Sequence, residues 1–327
     1  MKNIIDALAF GTQQEIHDEF SYQNWDFTQI FGGMNGITYR AENKSSGEVL
    51  AVKMRKRDAR QRALREFSAL EVVQALNYPI APKPISLHTD TPHLSGDVII
   101  SSWVDGVVLG DLSQTSISVW QKILDTLTTM HSITPQHAPL LKDATLAIQS
   151  PDDVIAEIDR RFAKLPDGQL GAITKDDIGK IFTDFKANRD KSIVPISDLR
   201  LILCDTNPSN MIHTADSIVI VDWENSGWGD PTFDIADLLV RPECDKLTDQ
   251  TRQFILSYYA EKMQSQTSIT HILEYEKLML VFWLILTSNG FANNQPKRLS
   301  GTRTFTLAQT TQQQSDYLRR IERIKRR

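Results

Sequence analysis

The chain has 327 residues, of which 41% are hydrophobic and 24% charged, so it can bury a large core and is long enough for two lobes. Its apolar runs fall short of the about 18 residues that suggest a membrane-spanning helix, and two cysteines are too few for a disulfide framework. It shows no zinc-ligand spacing and no signal peptide, so we expect a globular cytoplasmic protein without membrane insertion.

Three glycines lie between the first two extended stretches of the chain. Trp25 to Phe31 and Ile37 to Ala41 flank Gly32, Gly33 and Gly36. Because glycine has no Cβ, backbone amides in such a loop can approach phosphate oxygens closely. The pattern fits a phosphate-binding loop, and a plain β-hairpin turn is the alternative.

The next predicted strand, Val49 to Met54, carries a lysine. Side chains alternate between the two faces of a strand, so Ala51 and Lys53 share one face. Lys53 could lie over a nucleotide from this face, or it could extend from the strand end into water.

The helix predicted from Arg60 to Leu76 carries a carboxylate on its apolar face. Glu66 is at helical spacing from Leu70. A carboxylate buried there without a partner would be strongly destabilising, and Lys53 is the natural partner. Glu71 competes for that role but lies on a different flank of the helix.

Positive charge is concentrated in two segments. Seven lysines and arginines lie from Lys53 to Arg65, and six lie in the last eleven residues, from Tyr317 to Arg327. Apart from Lys53, we interpret these cations as a solvated loop, the exposed face of the helix and a solvated helix end. A basic tail can bind nucleic acid, but we do not expect that here.

Asp205, Asn210 and Asp222 form the most informative pattern in the chain. Asn210 follows Asp205 by five residues, and Asp222 ends the strand-like run that begins at Ser217. Mg²⁺ prefers hard oxygen ligands, which Asn210 and Asp222 supply, and Asp205 could accept a proton from an attacking hydroxyl. An ordinary turn is the alternative, since Asp and Asn favour turns.

The segment from Asp222 to Asp237 resembles the one that follows the catalytic loop in the aminoglycoside phosphotransferase and choline kinase superfamily, the protein-kinase-like small-molecule kinases. The resemblance implies an α+β, bilobal protein-kinase-like fold. It would have an antiparallel-sheet N-lobe over residues 1–104 and a mainly helical C-lobe over residues 105–327. It also implies transfer of a phosphate from ATP or GTP, with Mg²⁺, to a hydroxyl of a small molecule.

The same resemblance implies roles for residues of the N-lobe. The loop with Gly32, Gly33 and Gly36 is similar to the Gly-Gly-Met loop of the family and would cover the phosphates. Lys53, oriented by Glu66, would bind the α- and β-phosphates.

The run from Val98 to Gly106 resembles the strand and hinge that join the two lobes. In such enzymes adenine binds the hinge backbone, which here is Ser102, Trp103 and Val104. Trp103 could equally be a core aromatic.

The catalytic loop departs from the family at one position. Leu203 stands where the family has a histidine, and leucine could replace the packing of that histidine but not its polar contacts. Asp234 resembles the helix aspartate that supports this loop from beneath. The departure leaves an alternative, a catalytically silent nucleotide-binding pseudokinase or scaffold.

The acceptor implied by the resemblance is aminoglycoside-, amino-sugar- or choline-like. Aromatic rings and acids hold cationic acceptors. The candidates are Phe282, Trp283, Tyr258, Tyr259 and Glu224, with core packing as the alternative for each aromatic residue.

Overall fold

A six-stranded antiparallel sheet forms the N-lobe. The computed structural model describes residues 2–13, 18–30, 36–265, 267–293 and 306–325. The strands are β1 (Glu19–Tyr22), β2 (Trp25–Ile30), β3 (Gly36–Asn43), β4 (Val49–Lys56), β5 (Pro84–His88) and β6 (Gly96–Ser102). Their order in the sheet is β1-β2-β3-β4-β6-β5. Helix α1 (Lys2–Gln13) precedes the sheet, and α2 (Arg62–Ala75) lies between β4 and β5 in the chain.

The two faces of β4 meet different neighbours. Leu50, Val52 and Met54 pack in one buried cluster with Ile4 and Leu8 of α1. Because strand side chains alternate, the intervening residues of β4 lie on the opposite face of the sheet. This face is directed toward helix α2. This alternation sends cationic side chains of β4 toward the cleft between the lobes.

Helix α2 follows the predicted pattern closely but not completely. It begins at Arg62 and ends at Ala75, and it buries Leu70 and Val73 in the main core. Leu64, although apolar, is 42% exposed.

The C-lobe consists mainly of helices, with short strands around the cleft. The helices are α3 (Ile117–His131), α4 (Pro151–Phe162), α5 (Lys175–Ala187), α6 (Pro231–Val240), α7 (Asp249–Lys262), α8 (Thr267–Ala292) and α9 (Leu307–Lys325). The strands are β7 (Val107–Val108), β8 (Arg200–Ile202), β9 (Met211–His213), β10 (Ile218–Ile220) and β11 (Gly227–Gly229). They form a three-stranded sheet of order β10-β9-β7 and a β11-β8 pair.

Helix α8 forms the centre of the C-lobe. It packs against α4, α5, α6, α7 and α9. Its residues from Leu278 to Ile285 are buried. None of the helices in the described part of the chain combines the length and hydrophobicity that crossing a bilayer requires.

The basic C-terminal segment is only partly solvated, contrary to the prediction. Arg320 of α9 is buried and donates hydrogen bonds to the carbonyls of Leu239 (2.7 Å) and Val240 (3.1 Å) at the end of α6. A cation is favoured at this position because the carbonyls of a helix C-terminus carry partial negative charge. Tyr317 and Ile321 are buried beside it.

Candidate active site

The ion pair predicted between strand β4 and helix α2 is present. The Lys53 ammonium lies 2.5 Å from Oε1 of Glu66, and both side chains are almost fully buried. Burial alone would raise the pKa of Glu66, but the charges of Lys53 and Arg55 outweigh this effect and lower its pKa to about 2. The carboxylate is therefore ionised at neutral pH. The contact with a nucleotide phosphate stays a prediction.

Arg55 joins this ion pair to the predicted metal ligand. Its Nη2 donates to Oε2 of Glu66 (2.9 Å) and to Oδ1 of Asp222 (2.6 Å), while Nη1 lies 3.1 Å from Glu224. Arg55 is 4% exposed. The nearby carboxylates raise its pKa above the ordinary value although burial opposes this. One guanidinium thus links groups of both lobes.

Two further arginines of the N-lobe reach across the cleft. Arg62 donates to Glu224 (2.7 Å) and to Asp58 (3.0 Å). Arg65 donates to the carbonyl of Ser226 (2.9 Å). The interpretation of all cations after Lys53 as solvated was therefore wrong, because strand and helix periodicity turn several of them toward acids of the C-lobe.

The second cluster of the cleft surrounds the predicted base. Asp205 accepts a hydrogen bond from Nη2 of Arg241 (2.5 Å), which also donates to Asp237 (2.7 Å). The Arg241 guanidinium is 4.6 Å from the ring centre of Trp283. Desolvation raises the pKa of Asp205; Arg241 opposes this rise, and the negative charges of Asp237 and Asp222 add to it. Asp205 nevertheless keeps 41% of its side chain exposed, so a substrate can reach it.

A carboxylate supports the loop that carries Asp205. Asp234 of α6 accepts hydrogen bonds from the amides of Leu203 (2.7 Å) and Cys204 (2.9 Å). Cys204 has a φ of 61°, a left-handed conformation that is uncommon for residues other than glycine. The two hydrogen bonds hold this turn in place, as the resemblance implied for Asp234.

A histidine from another element lies beside this support. His131 of α3 is fully buried, with Nε2 3.3 Å from Asp234 and Nδ1 3.0 Å from the Tyr259 hydroxyl. Leu203 is buried in the hydrophobic core. The loop therefore has an imidazole near its supporting carboxylate even though Leu203 replaces the family histidine.

A short hairpin brings the two predicted metal ligands to the same end of a sheet. β9 follows Asn210 and pairs with β10, which precedes Asp222, and the Val221 amide donates to the Asn210 carbonyl (2.8 Å). Arg55 donates a hydrogen bond to Oδ1 of Asp222, and Oδ2 accepts no hydrogen bond from the described residues. An amide oxygen and a free carboxylate oxygen fit Mg²⁺, which usually takes its remaining ligands from phosphates and water.

The three predicted hinge residues differ in whether their backbone groups are already hydrogen-bonded within the protein. The amides of Ser102 and Trp103 donate to Lys83 and Val49 of the sheet region. Val104 makes no backbone hydrogen bond within the described residues, so its amide and carbonyl can meet a base. Of the glycine loop, Gly36 begins β3, whereas Gly32 and Gly33 lie outside the described residues.

The residues proposed to hold a cationic acceptor are mostly engaged elsewhere. Glu224 is 5% exposed and pairs with Arg55 and Arg62. Trp283 packs under Arg241, and Arg161 lies 4.8 Å from the ring centre of Phe282. Tyr259 is buried against His131. Core packing and internal ion pairs therefore account for these side chains.

Solved structures of other proteins share this protein-kinase-like fold. A choline/ethanolamine kinase family protein from Mesorhizobium loti is 16% identical, with a TM-score of 0.60, over 91% of this chain and 87% of that one. Spectinomycin phosphotransferase APH(9)-Ia, in complex with ADP and spectinomycin, is 16% identical, with a TM-score of 0.62, over 89% and 88%. The GDP and kanamycin complex of APH(2")-IIia is 13% identical, with a TM-score of 0.60, over 98% and 97%.

The sequence identifies the family itself. Residues 26–265 match the phosphotransferase enzyme family, and the chain belongs to this family. No match was found among curated proteins. The predicted family, the protein-kinase-like fold and the enzyme class, a small-molecule kinase, are confirmed. The boundary between residues 104 and 105 and the roles of individual residues stay predictions.

Sequence reasoning missed Arg55, Arg62 and Arg241. The signal for Arg55 was available, because it follows Lys53 by two residues on the same strand face. Arg241 stands four residues after Asp237, the helical spacing of an ion pair. Neither signal shows that a carboxylate from a distant part of the chain completes the cluster.

Proposed function

We propose that the protein transfers the γ-phosphate of ATP to a hydroxyl of a small molecule. One observation supports this proposal most strongly: the Arg55 guanidinium donates hydrogen bonds both to Glu66, the partner of Lys53, and to Asp222. The groups expected to bind phosphate and metal therefore line one cleft, and Asp205 opens onto it from the C-lobe.

Each group has a role set by its chemistry. Lys53 would bind the phosphates. Glu66 would keep the Lys53 ammonium oriented toward them. Asn210 and Asp222 would hold Mg²⁺, which when bound neutralises charge on the phosphates. Asp205 would accept the proton of the acceptor hydroxyl. The hydroxyl oxygen would bond to the γ-phosphorus while the bond between the γ-phosphorus and the ADP oxygen breaks. Its raised pKa makes Asp205 a better proton acceptor than an ordinary carboxylate.

The relatives guide the choice of donor and acceptor. One solved relative contains ADP and spectinomycin, and another contains GDP and kanamycin. We propose ATP as the donor, GTP as the next candidate, and an aminoglycoside-, amino-sugar- or choline-like acceptor. A cytoplasmic location, where ATP and Mg²⁺ are abundant, belongs to the same proposal.

A specific observation favours a second candidate function. The predicted base, Asp205, is paired with Arg241, and the predicted metal ligand, Asp222, is paired with Arg55. In addition, Leu203 replaces the family histidine. A silent nucleotide-binding protein would keep such pairs permanently. It would bind nucleotide with Mg²⁺ and release no ADP.

The test is ADP release from Mg-ATP and Mg-GTP against choline, ethanolamine, amino sugars and aminoglycosides. Acceptor-dependent release that is lost in Asp205→Asn supports the kinase. Nucleotide binding without release for any acceptor supports the silent protein. The matched control is Asp198→Asn, which removes a more exposed carboxylate of the segment that precedes β8.

A further inference from the structure

Arg55 forms an ion pair with Asp222, the predicted metal ligand, and this pair affects metal binding. Its guanidinium is buried, and the Nη2 atom that donates to Asp222 (2.6 Å) also donates to Glu66 (2.9 Å). A second nitrogen, Nε, donates to Glu66 at 3.1 Å. Two other carboxylates, Glu66 and Glu224, therefore fix this cation against Oδ1 of Asp222.

The charges around Asp222 are nearly balanced without a metal ion. The connected ion pairs contain three cations, Lys53, Arg55 and Arg62, and four carboxylates. The carboxylates are Asp58, Glu66, Asp222 and Glu224. A fixed cation on Oδ1 repels a divalent cation at Oδ2 of the same carboxylate. Nucleotide phosphates would offset this repulsion, because they add several negative charges next to Lys53 and Arg55.

We propose that Arg55 keeps divalent metal off Asp222 until a nucleotide is present, so that metal and nucleotide enter the site together. Arg55 acts through Asp222 and is a positioning residue. It orients the carboxylate through Oδ1 and leaves Oδ2 for the metal. The proposal rests on the proposed function, because it assumes that Asp222 is a metal ligand.

The test measures binding of Mn²⁺, a paramagnetic substitute for Mg²⁺, by electron paramagnetic resonance. Wild type and Arg55→Gln are titrated alone and with a non-hydrolysable ATP analogue. We expect wild type to bind Mn²⁺ weakly alone and tightly with the analogue. We expect Arg55→Gln to bind Mn²⁺ alone at least about tenfold more tightly than wild type, because the fixed positive charge that repels the metal ion at Asp222 is gone.

Two further variants show whether the new binding is at Asp222. Arg55→Gln combined with Asp222→Asn should lose the gain. Arg57→Gln is the matched control, since Arg57 follows the same strand directly and pairs with Asp97 rather than with an acid of the cleft. This control should bind Mn²⁺ like wild type.

Removal of a buried cation can prevent folding, so a charge-balanced pair is included. Glu224→Gln is compared with the double variant Arg55→Gln, Glu224→Gln, after circular dichroism shows that both fold. The same gain of about tenfold in Mn²⁺ affinity is expected between these two, because they differ only in the cation that repels the metal ion.

The outcomes separate the two proposals. If wild type binds Mn²⁺ with the analogue but neither Arg55→Gln variant gains affinity for Mn²⁺ alone, the role of Arg55 is wrong and the proposed function stands. If wild type binds no Mn²⁺ even with the analogue, the proposed function fails, and the role of Arg55 fails with it.

Discussion

Two arginines pair with Asp222 and Asp205 in the cleft, and these arginines come from different lobes. Arg55 reaches Asp222 from a strand of the N-lobe, 167 residues away in sequence. Arg241 reaches Asp205 from the end of α6 in the same lobe. The metal-side cluster therefore depends on how the lobes meet, whereas the base-side cluster is built within one lobe. Ligands that change lobe closure should affect the first cluster more than the second.

One acid of each cluster differs strongly from the other in burial. Glu66, at the centre of the metal-side cluster, is 1% exposed, whereas Asp205 keeps 41% of its side chain exposed. Breaking a buried ion pair by removal of one partner costs about 3–5 kcal/mol, and exposed pairs contribute far less. We therefore expect loss of the Glu66 carboxylate to affect binding and stability, and loss of the Asp205 carboxylate to affect turnover alone.

The largest effect is expected for Asp222→Asn. Loss of a metal ligand removes several kcal/mol of charge stabilisation in the transition state, so turnover should fall by about 10⁴-fold. Mn²⁺ binding in the presence of nucleotide should disappear as well. Asp216→Asn, an exposed acid just before β10, is the control. Near-normal Mn²⁺ binding by Asp222→Asn would show that Asp222 is not a metal ligand.

Asp205→Asn should reduce kcat by about 10³-fold, the typical contribution of a general base. Nucleotide affinity should stay within about twofold of wild type, because Asp205 makes no hydrogen bond or ion pair with the metal-side cluster among the described residues, although the charge of Asp222 acts on it. Steady-state kinetics and nucleotide titration separate these effects. A parallel loss of nucleotide affinity would show that the two clusters are not independent.

Glu66→Gln should lower the free energy of unfolding by about 3 kcal/mol, because Lys53 and Arg55 lose their shared buried partner. Urea unfolding measures this change. Glu71→Gln, on the exposed side of the same helix, is the matched control and should be nearly neutral.

The same residue predicts a pH dependence of stability. The pKa of Glu66 is lowered from 4.5 to about 2 in the folded protein, so its stabilisation is present above about pH 4.5 and is lost as the pH falls toward 2. Glu66→Gln should remove this part of the acid dependence. An unchanged acid dependence in the variant would contradict the role of the ion pair.

Arg241→Gln should shift the acid limb of the kcat profile to higher pH by about one unit. Arg241 lowers the pKa of Asp205 against the effects of desolvation and neighbouring acids. Without it, Asp205 stays protonated to higher pH and is inactive as a base. Arg241→Lys, which keeps the charge, should shift the profile less. An unshifted limb in Arg241→Gln would mean that Arg241 only supports the fold.

The contacts that were predictable from sequence are those set by local periodicity. Strand alternation and helical spacing brought Lys53 and Glu66 to facing surfaces, and the need to pair a buried carboxylate matched them. The fold followed from the resemblance of the Asp222 to Asp237 segment. Arg55 could be placed on the correct strand face by the same alternation. Its contact with Asp222 could not, because that contact depends on how two lobes come together.

The smallest effect is expected for Leu203→His, which restores the residue type of the family. Asp234 already accepts two loop amides and lies 3.3 Å from His131, so a second imidazole has little support to add. Turnover should stay within about threefold of wild type, which is less than about 1 kcal/mol of barrier. Stability should fall by about 1–3 kcal/mol, because the imidazole would replace a leucine in the buried core. A tenfold or greater gain in ADP release would show instead that Leu203 limits the base side of the cleft. It would also favour the view that the natural protein binds nucleotide without efficient turnover.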